Sequence, residues 1–452
     1  KTALDHVDRI LRLLPDDAMP SLTELSCQRL IAHANYLLAR FYDCVQALSA
    51  AESSLAKLRG RLRVRQSVDS FTGRVLDREQ LNAEEILMLR AGESYVWVGQ
   101  RMTFVRRTVC AFPRLYREPR MPGMLCFFLG MLVAEVGALG PAVRFIDLGQ
   151  QVHRLRGFEI GVFEAYRIRA TLQIRQGKWN LVERDLDALI QWGHQHGSLF
   201  RTIQAVFMRF TLHLSCNRLG LAEQTAAQLR VETERSGIEE YLLGSALAEA
   251  RIAFRRGNCS SALERLERAQ KHSGRPKESA LWSSYSALFA CILARCGDVS
   301  AFLAAVQAAA AALTPHTAGT VWDGDLHILL VWELFTLLPK CPQHALAISS
   351  LISQLEKGPL HRLRAVPIAA PGLEIIKFAK TNVLGEPKRA ESHLRKAIAL
   401  AQKLQMPYEE AWASLSLSRQ ASVQASEQCE SLRRFAQRIS AQSGCVLPLP
   451  SE

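Results

Sequence analysis

The 452-residue chain has no cysteine pair at CxxC spacing, no GxxxxGK[ST] loop, no HExxH and no GxSxG, and its valines, isoleucines and threonines form no long alternating runs. The first absence argues against a zinc site or disulfide framework; the eleven cysteines are scattered, Cys291 and Cys296 being the closest pair, and read as reduced, mostly buried small hydrophobes of a cytosolic protein. The missing motifs leave no phosphate cradle, metalloprotease helix or nucleophile elbow, so no enzymatic activity, cofactor or metal is expected of this chain alone. The missing alternation argues against β-sheet. Acidic residues are in deficit, 43 against 56 lysines and arginines, and the resulting charge of +13 favours anionic partners without choosing among them.

What is present is too long for one ordinary core, at 48% hydrophobic and 22% charged residues, so the chain must divide into domains or stack as an array. The start, KTALDHVDRILRLL, carries acidic residues and lacks a small-residue cleavage site, and so does not read as a secretory signal. It also begins without methionine, which points to a piece of a longer polypeptide. Residues 124–143 approach the length of a membrane span with Glu135 as their one charge. The Gly-Ala-Leu-Gly-Pro stretch from Gly137 to Pro141 would leave backbone groups unpaired in lipid, so a buried helix pair broken at that point is expected instead.

The dominant signal is a repeat. Gly137, Gly177, Asn217, Gly257 and Gly297 are each 40 residues apart, and these residue types tolerate the left-handed backbone of a tight inter-helix turn. Seven before the turn stand Gly130, Ala170, Phe210, Ala250 and Ala290. Five after it stand Ala142, Val182, Ala222, Ala262 and Phe302, then Ile146, Leu186, Ala226, Leu266 and Val306 at nine. Steps of three and four return to one helix face, so this set is the packing stripe of a second helix. Looser copies flank the array: residues 35–55 with the turn expected at Tyr42, residues 84–112, residues 327–357 with a proline-containing turn, and residues 372–407 with the turn at Gly385. PYEEAWASLSLSRQ adds a helix, and residues 417–452 read as a capping helix and tail.

With a small residue before the turn, glycine in it, and alanine, an apolar residue and alanine again after it, the chain resembles the tetratricopeptide repeat family. The resemblance implies an all-α, right-handed superhelix of about nine to ten helix pairs: looser basic repeats over 1–121, regular 40-residue repeats over 122–313, and C-terminal repeats over 314–416. The long repeat and the tail KAIALAQKLQMPYEEAWASLSLSR look like the helical regions of large bacterial signalling proteins, among them transcription regulators with a nucleotide-binding switch, multidomain cyclases, and Ser/Thr kinases carrying an ATPase-like module. It implies a cytoplasmic interaction or ligand-sensing module whose effector domain lies outside this chain.

In such a superhelix the first helices line the concave side. Arg167, Arg175, Arg251, Arg255 and Arg295, with Phe127 and Phe207, fall in concave register and are the expected binding surface for an acidic protein or peptide, or for a small effector. A second basic group, Arg59, Arg61, Arg63 and Arg65 with Arg101, Arg106, Arg107, Arg114, Arg117 and Arg120, keeps nucleic acid as a lesser reading. Asp323, Asp325 and His327 are metal ligands by type, but a helix start capped by aspartate accounts for them more simply. The alanine run over 304–313 permits close contact with another subunit as readily as with the next repeat.

Overall fold

The computed structural model describes residues 22–37, 41–63, 121–272, 281–312, 324–420 and 427–448, together with scattered helical positions between 81 and 111. Among these residues every regular element is helical. The first are α1 (Leu22–Leu37), α2 (Phe41–Arg63), α3 (Met121–Glu135), α4 (Leu139–Leu155), α5 (Glu159–Gln176) and α6 (Trp179–Gln195). There follow α7 (Leu199–Ser215), α8 (Leu219–Ser236), α9 (Glu239–Arg255), α10 (Cys259–His272), α11 (Trp282–Cys296) and α12 (Val299–Ala312). The last are α13 (Gly324–Leu337), α14 (Ala345–Leu355), α15 (Ala370–Val383), α16 (Pro387–Leu404), α17 (Pro407–Ser418) and α18 (Glu427–Ser443).

The expected turns stand where the spacing put them, for a local reason. Gly177 takes φ +71°, its N–H donates to the Ile174 carbonyl (2.9 Å) and the next N–H, of Lys178, donates to Gln173 (3.0 Å). This pair of bonds satisfies carbonyls that a helix end would otherwise leave open. It recurs at Gly137, at Gly257, at Gly385, and at Asn217, where φ is +54°. Gly157 and Gly197 form it too, and Gly237 shares their positive φ, so the return turns between repeats also use left-handed glycines. A left-handed residue therefore falls every twenty positions from Gly137 to Gly257. Asn258 and Asp298, just past their turns, cap the next helices by accepting from the N–H groups of Ser261 and Ala301.

Packing follows the stripe read from the sequence. Ala142, Val182, Ala222, Ala262 and Phe302 are fully buried, as are Ile146, Leu186, Leu266 and Val306. Each buried leucine or isoleucine contributes about 2 kcal/mol. Small residues before the turn set the approach distance: a Cβ at Gly130 would come within 2.7 Å of the Ile146 side chain and 3.0 Å of the Ala142 carbonyl. Consecutive helices pack as pairs, and the first helices of successive pairs touch in series from α3 through α5, α7, α9, α11, α13 and α15 to α17.

One expected turn is displaced. Tyr42 lies inside the first turn of α2, because that helix already begins at Phe41, while Ala51 behind it is buried as expected. The turn of that first pair falls outside the described residues. The break at Gly137 does split 124–143 into α3 and α4, and among the described residues no helix is long and apolar enough to cross a membrane.

The array also closes on itself. Gly137 faces Ala365, and Gly177 faces Leu404 and Ile368. The Trp179 indole N–H donates to the Leu404 carbonyl at the end of α16 (2.7 Å). Asn217 donates through Nδ2 to Ser443 Oγ (2.9 Å), and the Val446 N–H donates to the Arg255 carbonyl (2.7 Å). The turns at 137, 177, 217 and 257 are thus met in order by chain segments near 365, 404, 443 and 446.

Gly257 and Gly197 separate the two roles. A Cβ at Gly257 would lie 2.7 Å from Val446, whereas Gly197 has nothing within 4 Å. Gly197→Ala is expected to cost only the left-handed backbone penalty, about 1–2 kcal/mol in denaturant unfolding. Gly257→Ala should cost more and raise amide exchange at Val446; equal costs with unchanged exchange would contradict the tail's packing on that turn.

Candidate functional site

The closure gathers ionisable groups from three helices. Arg251 and Arg255 are four residues apart and so share a face of α9. Opposite them α13 begins at Gly324, placing Asp325 in its first turn, where the helix dipole favours a carboxylate. Arg251 Nη2 donates to both Asp325 oxygens (2.7 and 2.8 Å), and Arg255 Nη2 donates to Oδ2 (3.2 Å). From α17, the Tyr408 ring lies 3.5 Å beneath the Arg255 guanidinium, a cation–π contact in a dry setting. Arg251 and Arg255 are only 5% and 8% exposed.

Burial and charge oppose each other here. Burial raises the Asp325 carboxyl, but the guanidiniums of Arg251 and Arg255 outweigh it and hold the group below its ordinary range. Glu409, beside Tyr408, is pushed up to about 7 by burial, which Arg255 offsets only in part. Burial likewise raises Glu333 on α13 to about 7, against the pull of Arg295.

Arg251, Arg255, Asp325, Tyr408 and Glu409, but not Glu333, line a cavity of about 70 Å³ bounded by α7, α9, α13, α15 and α17. Its apolar walls include Leu214, Phe254, Leu329, Val366 and Met406, and its polar groups include Arg251, Arg255, Asp325, Tyr408 and Glu409. Three buried polar atoms on it have no hydrogen-bond partner: Arg255 Nη1, Glu409 Oε2 and Trp412 Nε1. The Trp412 ring meets Trp332 edge to face, centroids 5.1 Å apart. Leu363, on the wall, follows a kink at Gly358 and Pro359, where the backbone leaves helical geometry.

The structure brings two of the seven expected site residues, Arg251 and Arg255, together and disperses the rest. Arg167 pairs with Glu164 on its own helix (2.8 Å), Arg175 reaches the Ala134 carbonyl (3.5 Å), and Arg295 lies 4.1 Å over the Phe254 ring. Phe127 is buried against His153, ring centroids 5.2 Å apart, and Phe207 is half-buried beside Phe210. These neighbours of the five belong to their own or an adjacent helix pair, whereas Arg251 and Arg255 are met by α13 and α17. Asp325 does sit at a helix start, but its partners are the arginines; His327 is fully buried, and Asp323 lies outside the described residues. No group of three or more metal-binding side chains occurs among the described residues. Of the N-terminal arginines, Arg59 pairs with Glu85 (2.6 Å) and Arg107 with Glu52, while Arg65, Arg101, Arg114, Arg117 and Arg120 lie outside the described residues.

No family model and no curated protein matches the chain. Solved structures do, among them a Rap protein complexed with competence and sporulation factor: TM-score 0.56 at 11% identity, over 85% of this chain and 99% of that one. At this identity the likeness concerns the fold, which is a tetratricopeptide-like solenoid of helix pairs.

Two outcomes follow from the buried charges. Asp325→Ala leaves two guanidiniums without their counter-charge; since the aspartate side chain is 31% exposed, a loss of roughly 2–3 kcal/mol is expected in denaturant unfolding. A loss below about 0.5 kcal/mol would place the pair among ordinary surface contacts. For Glu409, a native value near 7 against an ordinary 4.5 means the folded state holds the extra proton between those values, so stability falls as pH rises through that window. Glu409→Gln removes this titration. Its advantage over the parent should grow from pH 4.5 to 7, reaching about 1–3 kcal/mol above it, and a pH-independent difference would contradict the shift.

Proposed function

We propose that the chain is a protein-interaction module, a closed array of helix pairs that receives an acidic peptide or protein segment at Arg251 and Arg255. The observation that supports this reading most is the clamp itself. One carboxylate, Asp325, holds two arginines of α9 across 70 or more residues of sequence, and α17 packs its Tyr408 on the same guanidinium. An incoming carboxylate offers these arginines the same bidentate geometry as Asp325 does. Exchange of one for the other would loosen α9 from α13 and α17 and so convert occupancy into a change of curvature.

The solenoid fold agrees with this role, as does the fact that the matched Rap protein was solved with competence and sporulation factor bound. The reading extends to a signalling role in which attached domains sense the change, with Arg167, Arg175, Arg295, Phe127 and Phe207 keeping the repeats in register. The ion pairs of Arg59 and Arg107 neutralise part of the N-terminal basic group, which weighs against a phosphate-backbone ligand.

Fluorescence anisotropy with matched acidic, neutral and basic peptide pools provides the test, followed by photo-crosslinking of the retained peptides. Saturable binding of the acidic pool is expected, with crosslinks on α9 or α13. Arg251→Lys, which keeps the charge and loses the fork, should weaken it about tenfold. Retention independent of peptide charge, or crosslinks confined to the outer helices α8 and α10, would refute the reading.

A further inference from the structure

A guanidinium and a carboxyl group face the same cavity and do not pair with each other. Arg255 and Glu409 are each 8% exposed, and both line the space between α9, α13 and α17. Arg255 uses Nη2 on Asp325 and its guanidinium face on Tyr408, which leaves Nη1 without a partner; Glu409 leaves Oε2 without one. A buried donor or acceptor left open in this way is costly. Direct pairing of the two would be the simplest remedy, and the fold does not make it. With both groups on the wall of one cavity, a bridging molecule with an acceptor at one end and a donor at the other would satisfy the two at once.

The size of the space limits the choice. About 70 Å³ admits a few water molecules or one organic molecule of a few heavy atoms. Apolar side chains of Leu214, Leu329, Val366 and Met406 form much of the remaining wall, which favours a ligand with a small aliphatic part over a chain of waters. We propose that the cavity binds a small α-amino acid of the glycine–alanine class, its carboxylate on Arg255 Nη1 and its ammonium group on Glu409 Oε2.

Both charges of the zwitterion are then matched, and neither protein group remains open. Because Arg255 belongs to α9 and Glu409 to α17, the bound molecule ties the two halves of the closed array together. This goes beyond the partner reading: it shares Arg255 with that reading but requires the cavity and Glu409 rather than exchange of Asp325.

Isothermal titration of the purified chain with alanine, glycine, propionate and ethylamine tests the assignment, with thermal unfolding as a parallel readout. Alanine or glycine is expected to bind saturably and to raise the melting temperature. Propionate and ethylamine, which each lack one of the two charges, should bind at least about tenfold more weakly. Glu409→Gln, close in shape to the parent, should reduce the preference of alanine over propionate to about twofold or less. The wild-type comparison of the four ligands stands without any variant. Absence of saturable amino-acid binding up to about 10 mM means that the cavity holds only water, and overturns the proposal. Propionate binding as tightly as alanine overturns it as well, since Glu409 would then have no part in recognition.

Discussion

From Gly137 to Gly257 a residue with left-handed backbone at every twentieth position makes each helix stop and reverse, and the pairing and curvature of the regular repeats descend from that reversal. Glycine meets the requirement without steric penalty, and asparagine at 217 meets it with a tolerable one. Most of these turns satisfy their own carbonyls with the same two hydrogen bonds, so no tertiary contact is needed to define them. Small residues at Gly130, Ala170, Ala250 and Ala290 then fix how near the paired helices lie. Repetition of one hairpin geometry accumulates into curvature, and curvature carries the C-terminal repeats back onto the turns of the earlier ones.

Closure changes the chemistry of the inner face. In an open solenoid the arginines of α9 would be solvated and individually unremarkable. Here α13 and α17 cover them, and burial makes pairing obligatory because an isolated buried charge is far more costly than an exposed one. Asp325 supplies that pairing at the dipole-favoured start of its helix. Glu409 and Glu333 lack so complete a partner, and burial pushes both toward 7. The candidate site is thus a product of long-range geometry: a cationic pair, a matched carboxylate and an incompletely satisfied carboxyl around one small space.

That difference between local and distant causes decides what the sequence reveals. The turns, the small residues and the apolar stripe are encoded within about 20 residues of one another, and periodic spacing exposed them. Gly157, Gly197 and Gly237 stand at the halfway offset, where the return turns fall, outside the 40-residue register that links Gly137 to Gly297. At Tyr42 the alanine spacing alone puts the first turn inside α2, because that pair has neither glycine nor asparagine at the expected point. Arg251 and Arg255 are legible as a shared face of α9. Their partner lies 70 or more positions away and Tyr408 and Glu409 still further, with no spacing rule connecting them. Arg167, Arg175 and Arg295 share the register of the pair but meet other neighbours, since register fixes direction on a helix and not what the rest of the chain brings opposite it.

The return of the C-terminal repeats onto the earlier turns is the step from which the buried charges, the cavity and the proposed binding all follow. Lys178 and Lys403 border one such contact, where the Trp179 indole N–H donates to Leu404. Pulsed electron spin distance measurement between labels at cysteines substituted for Lys178 and Lys403, in a background stripped of exposed cysteines, reads that closure directly. A single short, narrow distribution is the expected result; a long or broad one would show an open array and remove the basis of the site.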